Sequence, residues 1–291
     1  MSRDTPRSHR TFTPWLFLAP MIAVLGVFFV GSAAQVVAYS FTRYSVFGEP
    51  EFVGLQNYQA LLTDRVFLAA VANSFLYLLV TPVLIVLALG SAMVVDSGIR
   101  GRKLLRLLLF LPVVTPTIVA AVAWRLVLDE DGGLLNRVID AVPGPTPPRW
   151  LTEHPFTLMS AMMVTAWKGF GFYMMIFLAG LMQVPASTRE AAAIDGAGPV
   201  GVFFHVTLPA LRPTIVLVSV ISSISALKVF DELFVTVRGV PGDQQTAVPY
   251  IYDLAFERGA FGAACAAGVI LFAVILMFSI LNLRLSAGRS G

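Results

Sequence analysis

The chain has 291 residues, of which 57% are hydrophobic and only 13% charged, with a formal net charge of +3. A soluble domain ordinarily carries about 25% charged residues, so this composition excludes a soluble enzyme and a disordered chain, and the single Cys265 excludes an intramolecular disulfide framework. The basic balance, with an isoelectric point near 9.2, has to be placed relative to a membrane before it can be read as affinity for nucleic acid.

Crossing about 30 Å of hydrocarbon takes roughly 20 apolar residues at 1.5 Å of helical rise each. Six runs meet that need. Trp15 to Tyr39 carries no charge; it is longer than the core of a cleaved leader, so it is expected to stay as a helix. Phe67 to Val95 is interrupted only by Pro82, and Leu107 to Trp124 carries Pro112 and Pro116. Pro155 to Val184 holds Lys168 in its middle, and the run from Pro213 to Leu227 ends at Lys228. Ala260 to Leu283 opens with small residues (Gly262, Ala263, Ala264, Ala266, Ala267, Gly268), which let helices approach closely in lipid. The alternation of a barrel strand is absent. The expected fold is an all-α membrane protein with six transmembrane helices and both termini on one side.

With the N-terminus inside, the cytoplasmic side holds eleven basic residues, including the cluster Arg100, Arg102, Lys103 and Arg106, against seven outside. The inner loops are also shorter, so both termini are expected in the cytoplasm. That cluster reads as a stop-transfer anchor, not as a nucleic-acid surface. Leu128 to His154, with Asp129, Glu130 and Asp131 followed by Pro143, Pro145, Pro147 and Pro148, reads as an outer loop with one short helix within Gly133–Val142. Arg238 to Gly259 is the other outer loop.

The loop between the fourth and fifth spans is the most informative stretch. Pro185 stops the span above it, and Ser187 with Glu190 has capping-box spacing, so a helix is expected to start at Ser187. Ala191, Ala192 and Ala193 favour helix, Gly196 and Gly198 supply a turn, and Val202, Phe203 and Val206 lead to Pro209. This is a helix-turn-helix elbow on the inner face. Isolated helices this short are marginal in water, so it is expected to dock on something. Glu190 has two compatible readings, capping its own helix or facing a partner.

Glu190-Ala191-Ala192, three residues, Gly196, nine residues, then Val206-Thr207-Leu208-Pro209 resembles the EAA signature of the permease subunits of ABC importers, with Val206 where that signature has Ile. Asp195-Gly196-Ala197, Trp167-Lys168-Gly169-Phe170 and Val229-Phe230-Asp231-Glu232 are similar to the carbohydrate-uptake branch, the maltose and glycerol-phosphate type. The turn Arg238-Gly239-Val240-Pro241-Gly242 departs from the Gly-Gly-Pro usual there. The resemblance implies a permease core over 67–291, with a coupling loop at 185–212, behind an N-terminal tail, first helix and outer loop over 1–66. It also implies that Glu190, Ala191, Ala192, Asp195, Gly196, Leu208 and Pro209 couple the chain to a separate ATPase. The implied partners are a second homologous permease, two ATPases and an extracytoplasmic solute-binding protein, in the lipid of a bacterial or archaeal cytoplasmic membrane. ATP and Mg would sit on the ATPases and no cofactor on this chain, whose three lysines follow no phosphate-cradling Gly-rich loop. No catalytic constellation and no metal-ligand spacing is visible.

Ionisable groups inside spans point to a cavity or a partner. Lys168 lies about 20 Å from the outer start of its helix, and Lys228 about 22 Å from the inner start of its own. Thr165, Lys168 and Phe172 share a face with Tyr173 at its margin, while Ser222, Ser223 and Phe230 share another. Trp167, Lys168, Phe172, Tyr173, Ser222, Ser223, Lys228 and Phe230 are the candidate solute pathway, since rings beside hydroxyls suit a sugar. Lys228 could equally pair with Glu232 at i,i+4, and the serines could bond between helices. An anionic sugar derivative or a glycerophosphodiester is the alternative solute. An ion-coupled secondary carrier is the alternative class; it needs interrupted helices, which the apolar runs do not reveal.

Overall fold

The structure is a computed structural model that describes residues 13–45, 48–142, 144, 146–237 and 242–287. Among these the chain is helical apart from one two-stranded ribbon. The basic residues Arg3, Arg7, Arg10 and Arg289, and the departure at 238–241, lie outside the described residues, as do Pro143 and Pro145.

Four helices are long and apolar enough to cross a membrane: α1 (Trp15–Ser40), α3 (Arg65–Asp96), α7 (Phe156–Leu181) and α13 (Phe261–Ala287). Two bent pairs bring the number to six if each pair counts as one span. In the first, α4 (Arg102–Val114) and α5 (Thr117–Val127) meet at 98°. Pro116 disfavours the helical region for the residue before it, and Thr115 is accordingly extended at φ −72°, ψ 127°. The third apolar run, Leu107–Trp124, is therefore two helices with a sharp bend at Thr115–Pro116. In the second pair, α9 (Pro199–Ala210) meets α10 (Arg212–Leu227) at 65°. Interrupted helices, expected to be absent, are present. Pro82 leaves a milder mark: it has no N–H to give Leu78, and α3 loosens into a turn at Leu78–Leu79 while remaining one span.

Two units separate by contact. The first comprises the described residues up to Leu61 with Leu254–Ile270. Here the ribbon pairs β1 (Thr42–Arg43) with β2 (Glu51–Phe52), Thr42 opposite Phe52. Asn57, in α2 (Gln56–Thr63), donates from Nδ2 to the carbonyls of Ser40 and Thr42, both at 2.9 Å. The Gly262 N–H donates to the Tyr44 carbonyl, and a Cβ at Gly262 would collide with the Thr42 carbonyl oxygen. The small-residue opening of α13 thus serves a close backbone approach, with Ala266 and Ala267 fully buried.

The second unit, Leu62–Asp253 with the chain from Leu271 onward, carries the main core. Tyr77, Leu84, Ala88 and Ala92 of α3 pack with Met174, Phe177 and Leu181 of α7 and with Leu211 and Val218. Glycines set the spacing: a Cβ at Gly171 would run into the Leu109 carbonyl of α4, and one at Gly180 would lie 2.6 Å from Thr214 Oγ1 of α10. The Leu128–His154 loop has its short helix, α6, at Leu134–Asp140, where Trp150 Nε1 donates to Asn136 Oδ1 at 2.7 Å. A short helix, α12 (Ala247–Tyr252), is pinned by Ser74 Oγ accepting from the Ala247 N–H and by Tyr250 OH donating to Asp64 Oδ2 at 2.6 Å. Outward faces are apolar, as at Phe272 and Leu107, which lipid tolerates and water does not.

Candidate functional site

The elbow begins with α8 (Ala186–Ile194). Pro185, at φ −59° and ψ 133°, holds the N-cap position, and no side chain caps the helix. The expected capping box is therefore corrected: proline's fixed φ already presets the entry, which leaves Ser187 inside the first turn. Glu190 does not cap its own helix, and among the described residues no hydrogen bond or ion pair engages its carboxylate.

The far end of α8 closes with a Schellman arrangement. The Ala197 N–H donates to the Ala192 carbonyl at 3.0 Å and the Gly196 N–H to the Ala193 carbonyl at 3.1 Å. Gly196 takes φ +86°, a left-handed conformation that penalises any side chain. Asp195, exposed, is the C-cap just before it. Pro199 then opens α9 at a position where a missing N–H costs nothing. Ala191 and Pro209 are exposed, and Ala192 and Leu208 half-buried. Ile194, one turn along α8 from Glu190, is 85% exposed, and Phe204 of α9 is exposed as well.

A contact that sequence reading missed ties the elbow to a span. Arg189 Nη1 donates to Asp96 Oδ2, at the C-terminus of α3, at 3.2 Å. Both residues, with Glu190, Ala193 and Phe203, line an open cleft beneath the elbow. No local pattern reveals a pair 93 residues apart.

The second feature is a cavity of about 200 Å³ among α7, α10 and α11 (Asp231–Thr236). Of the candidate pathway residues, Lys168, Phe172, Tyr173 and Ser222 line it, together with Thr165, Ser225 and Glu232. Tyr77 OH bonds Thr165 Oγ1 behind it at 2.7 Å, and Phe172 meets Tyr173 edge to face at 5.3 Å. Ser222 Oγ also donates to the Val218 carbonyl of its own helix at 2.7 Å.

Four other expected pathway residues lie off the lining. Ser223 is buried, Trp167 packs edge to face on Trp124, and Phe230 stacks on Phe234 at 4.9 Å. Lys228 is exposed at the C-cap of α10. The i,i+4 pair of Lys228 with Glu232 is corrected for a backbone reason: α10 ends at Leu227, and Phe230 at φ −137°, ψ −64° breaks the helical register before α11 begins. Glu232 joins Lys168 on the cavity wall instead.

Apolar helices surrounding a polar cavity, with a shaped elbow at one end, define a membrane solute permease. The chain belongs to the family described as binding-protein-dependent transport system inner membrane component, whose profile matches residues 66–289. It is a permease component and not an enzyme. It is 34% identical over 288 residues to the arabinooligosaccharides transport system permease protein AraP of Bacillus subtilis, covering 96% of this chain and 90% of that one. It is 30% identical over 278 residues to the trehalose/maltose transport system permease protein MalF of Thermococcus litoralis, covering 94% of each. The fold matches a chain in the crystal structure of a bacterial ABC transporter involved in import of the acidic polysaccharide alginate, with TM-score 0.80 over 96% of both chains at 21% identity.

Proposed function

We propose that the chain is one of two permease subunits of an ATP-driven, binding-protein-dependent importer that brings a sugar or sugar-like solute into the cytoplasm. The observation that carries this reading is the elbow: an exposed helix with a free carboxylate at Glu190, bare Ile194 one turn on, and a Gly196 turn closed by two hydrogen bonds. Such a surface lacks a reason to exist unless another protein seats on it. In this reading the occupant is an ATPase that holds ATP and Mg, and this chain binds no cofactor of its own. Glu190 faces a basic group there, while Ala191, Ala192, Asp195, Gly196, Leu208 and Pro209 shape the docking helix and its turn. Closure of the two ATPases moves the loop 185–212 as a lever. An extracytoplasmic binding protein delivers the solute, and both termini of this chain lie in the cytoplasm. The saccharide class follows the names of the relatives and the rings and hydroxyls around the cavity.

Glu190→Lys tests the reading. In cells expressing the whole system, sugar uptake is expected to fall at least about tenfold, a like-charge clash at a docking surface being worth more than one decade. Chain abundance in the membrane should be unchanged. Uptake equal to wild type would remove the docking role.

A further inference from the structure

The cavity that Lys168 lines also holds an anion, and the pairing has a consequence for what it accepts. Lys168 sits about 18 Å into α7, counting 1.5 Å per residue from Phe156, so its charge lies deep within the span. An uncompensated cation there would favour an acidic solute. Glu232 lines the same cavity and lies within electrostatic reach of Lys168. The two do not close on each other: neither Lys168 nor Glu232 takes part in an ion pair among the described residues. The cavity therefore presents a donor-only group and an acceptor-only group, both still available.

We propose that Glu232 is a specificity-determining residue, which makes this cavity accept neutral saccharides and reject acidic ones; the inference rests on the solute-pathway reading above. A sugar hydroxyl is donor and acceptor at once. One oxygen of a vicinal diol can accept from the Lys168 ammonium while its neighbour donates to the Glu232 carboxylate. The Phe172 and Tyr173 rings offer apolar surface to a sugar's C–H face, and Thr165 and Ser225 add further hydroxyl partners. A uronate carboxylate only accepts; it would satisfy Lys168 but bring a second anion against Glu232. At about 200 Å³ the cavity is smaller than the roughly 300–1,000 Å³ of sites that enclose drug-sized ligands. It takes one ring, so the charge at a single sugar position is what it reads.

The test uses the full chain in lipid nanodiscs and a matched pair of probes, methyl α-glucoside and methyl α-glucuronide, which differ only in CH2OH against carboxylate. Saturation-transfer NMR on the wild type is expected to favour the glucoside about tenfold, the scale of one mispaired charge. Glu232→Gln should bring the ratio close to one by admitting the glucuronide, and Glu232→Asp, which keeps the charge, should restore the preference. Lys168→Met should weaken both probes and the glucuronide more. A ratio unchanged in Glu232→Gln, or a wild type that takes the glucuronide as readily, overturns the proposal. Silence of both probes in the wild type also overturns it by removing the cavity as a solute site. The ATPase-docking role would then still stand or fall on the Glu190→Lys uptake measurement.

Discussion

Gly196 shows how one residue type can carry a mechanical role. Its φ of +86° lets α8 end in two chain-reversing hydrogen bonds, and nothing lies within 4 Å of where a Cβ would stand. Gly196→Ala therefore brings no clash, only the left-handed penalty of about 1–2 kcal/mol. A loss of that size, confined to a solvent-facing elbow, is expected to loosen the turn and leave the spans intact. Hydrogen exchange should accelerate at 192–198 in the variant while α7 keeps its protection; unchanged exchange there would deny the turn its role. Gly171 differs because its missing Cβ makes room for the Leu109 carbonyl. Gly171→Val should separate α4 from α7 and reduce the folded yield in membranes, measured as the protease-resistant fraction. Gly196 stands out in the sequence by its spacing, whereas Gly171 is disclosed only by the backbone that packs against it.

Among the elements, the join between α8 and α3 matters most for transmission. The Arg189–Asp96 pair has its side chains about a third and a quarter exposed, and such pairs contribute only about 0–1 kcal/mol. Its value is geometric: it ties the elbow to the end of a 32-residue span. Asp96→Arg is expected to leave the melting temperature almost unmoved while raising the ATP consumed per solute transported by the reconstituted system. The exchange Asp96→Arg with Arg189→Asp should return that ratio towards wild type. A double variant as poorly coupled as the single one would show that the pair does not act as a tether.

The same elements show what sequence could and could not supply. Apolar runs locate the four helices long enough to cross a membrane and fall on the two bent pairs as well, because hydrocarbon thickness sets their length whatever surrounds them. The elbow is equally readable, since proline, the alanine run and glycine at a fixed offset act locally. The 98° break at Thr115–Pro116 has its prolines in plain view, yet its angle depends on packing against α7. The alternative pairing of Lys228 with Glu232 fails because helical counting across Lys228–Phe230 assumes a register that the backbone abandons.

At the scale of the whole molecule, two features bear on the proposed function: the cavity that Lys168 and Glu232 line and the exposed elbow. In the proposed reading the cavity is where a solute is positioned. The lever bears an unengaged carboxylate and exposed apolar side chains on a helix too short to stand alone. On the same proposed reading, the free energy for solute movement enters through that lever from an ATPase subunit. Ile194, 85% exposed, is the best reporter of the contact. With Cys265 replaced by Ser, an Ile194→Cys chain assembled in its full transporter should cross-link through a short thiol reagent to a cysteine in the ATPase cleft. The yield should change between nucleotide-free and ATP-trapped states. A thiol at 194 that stays freely reactive to a water-soluble maleimide in the intact, transport-active assembly, with no cross-link in either state, would contradict the account.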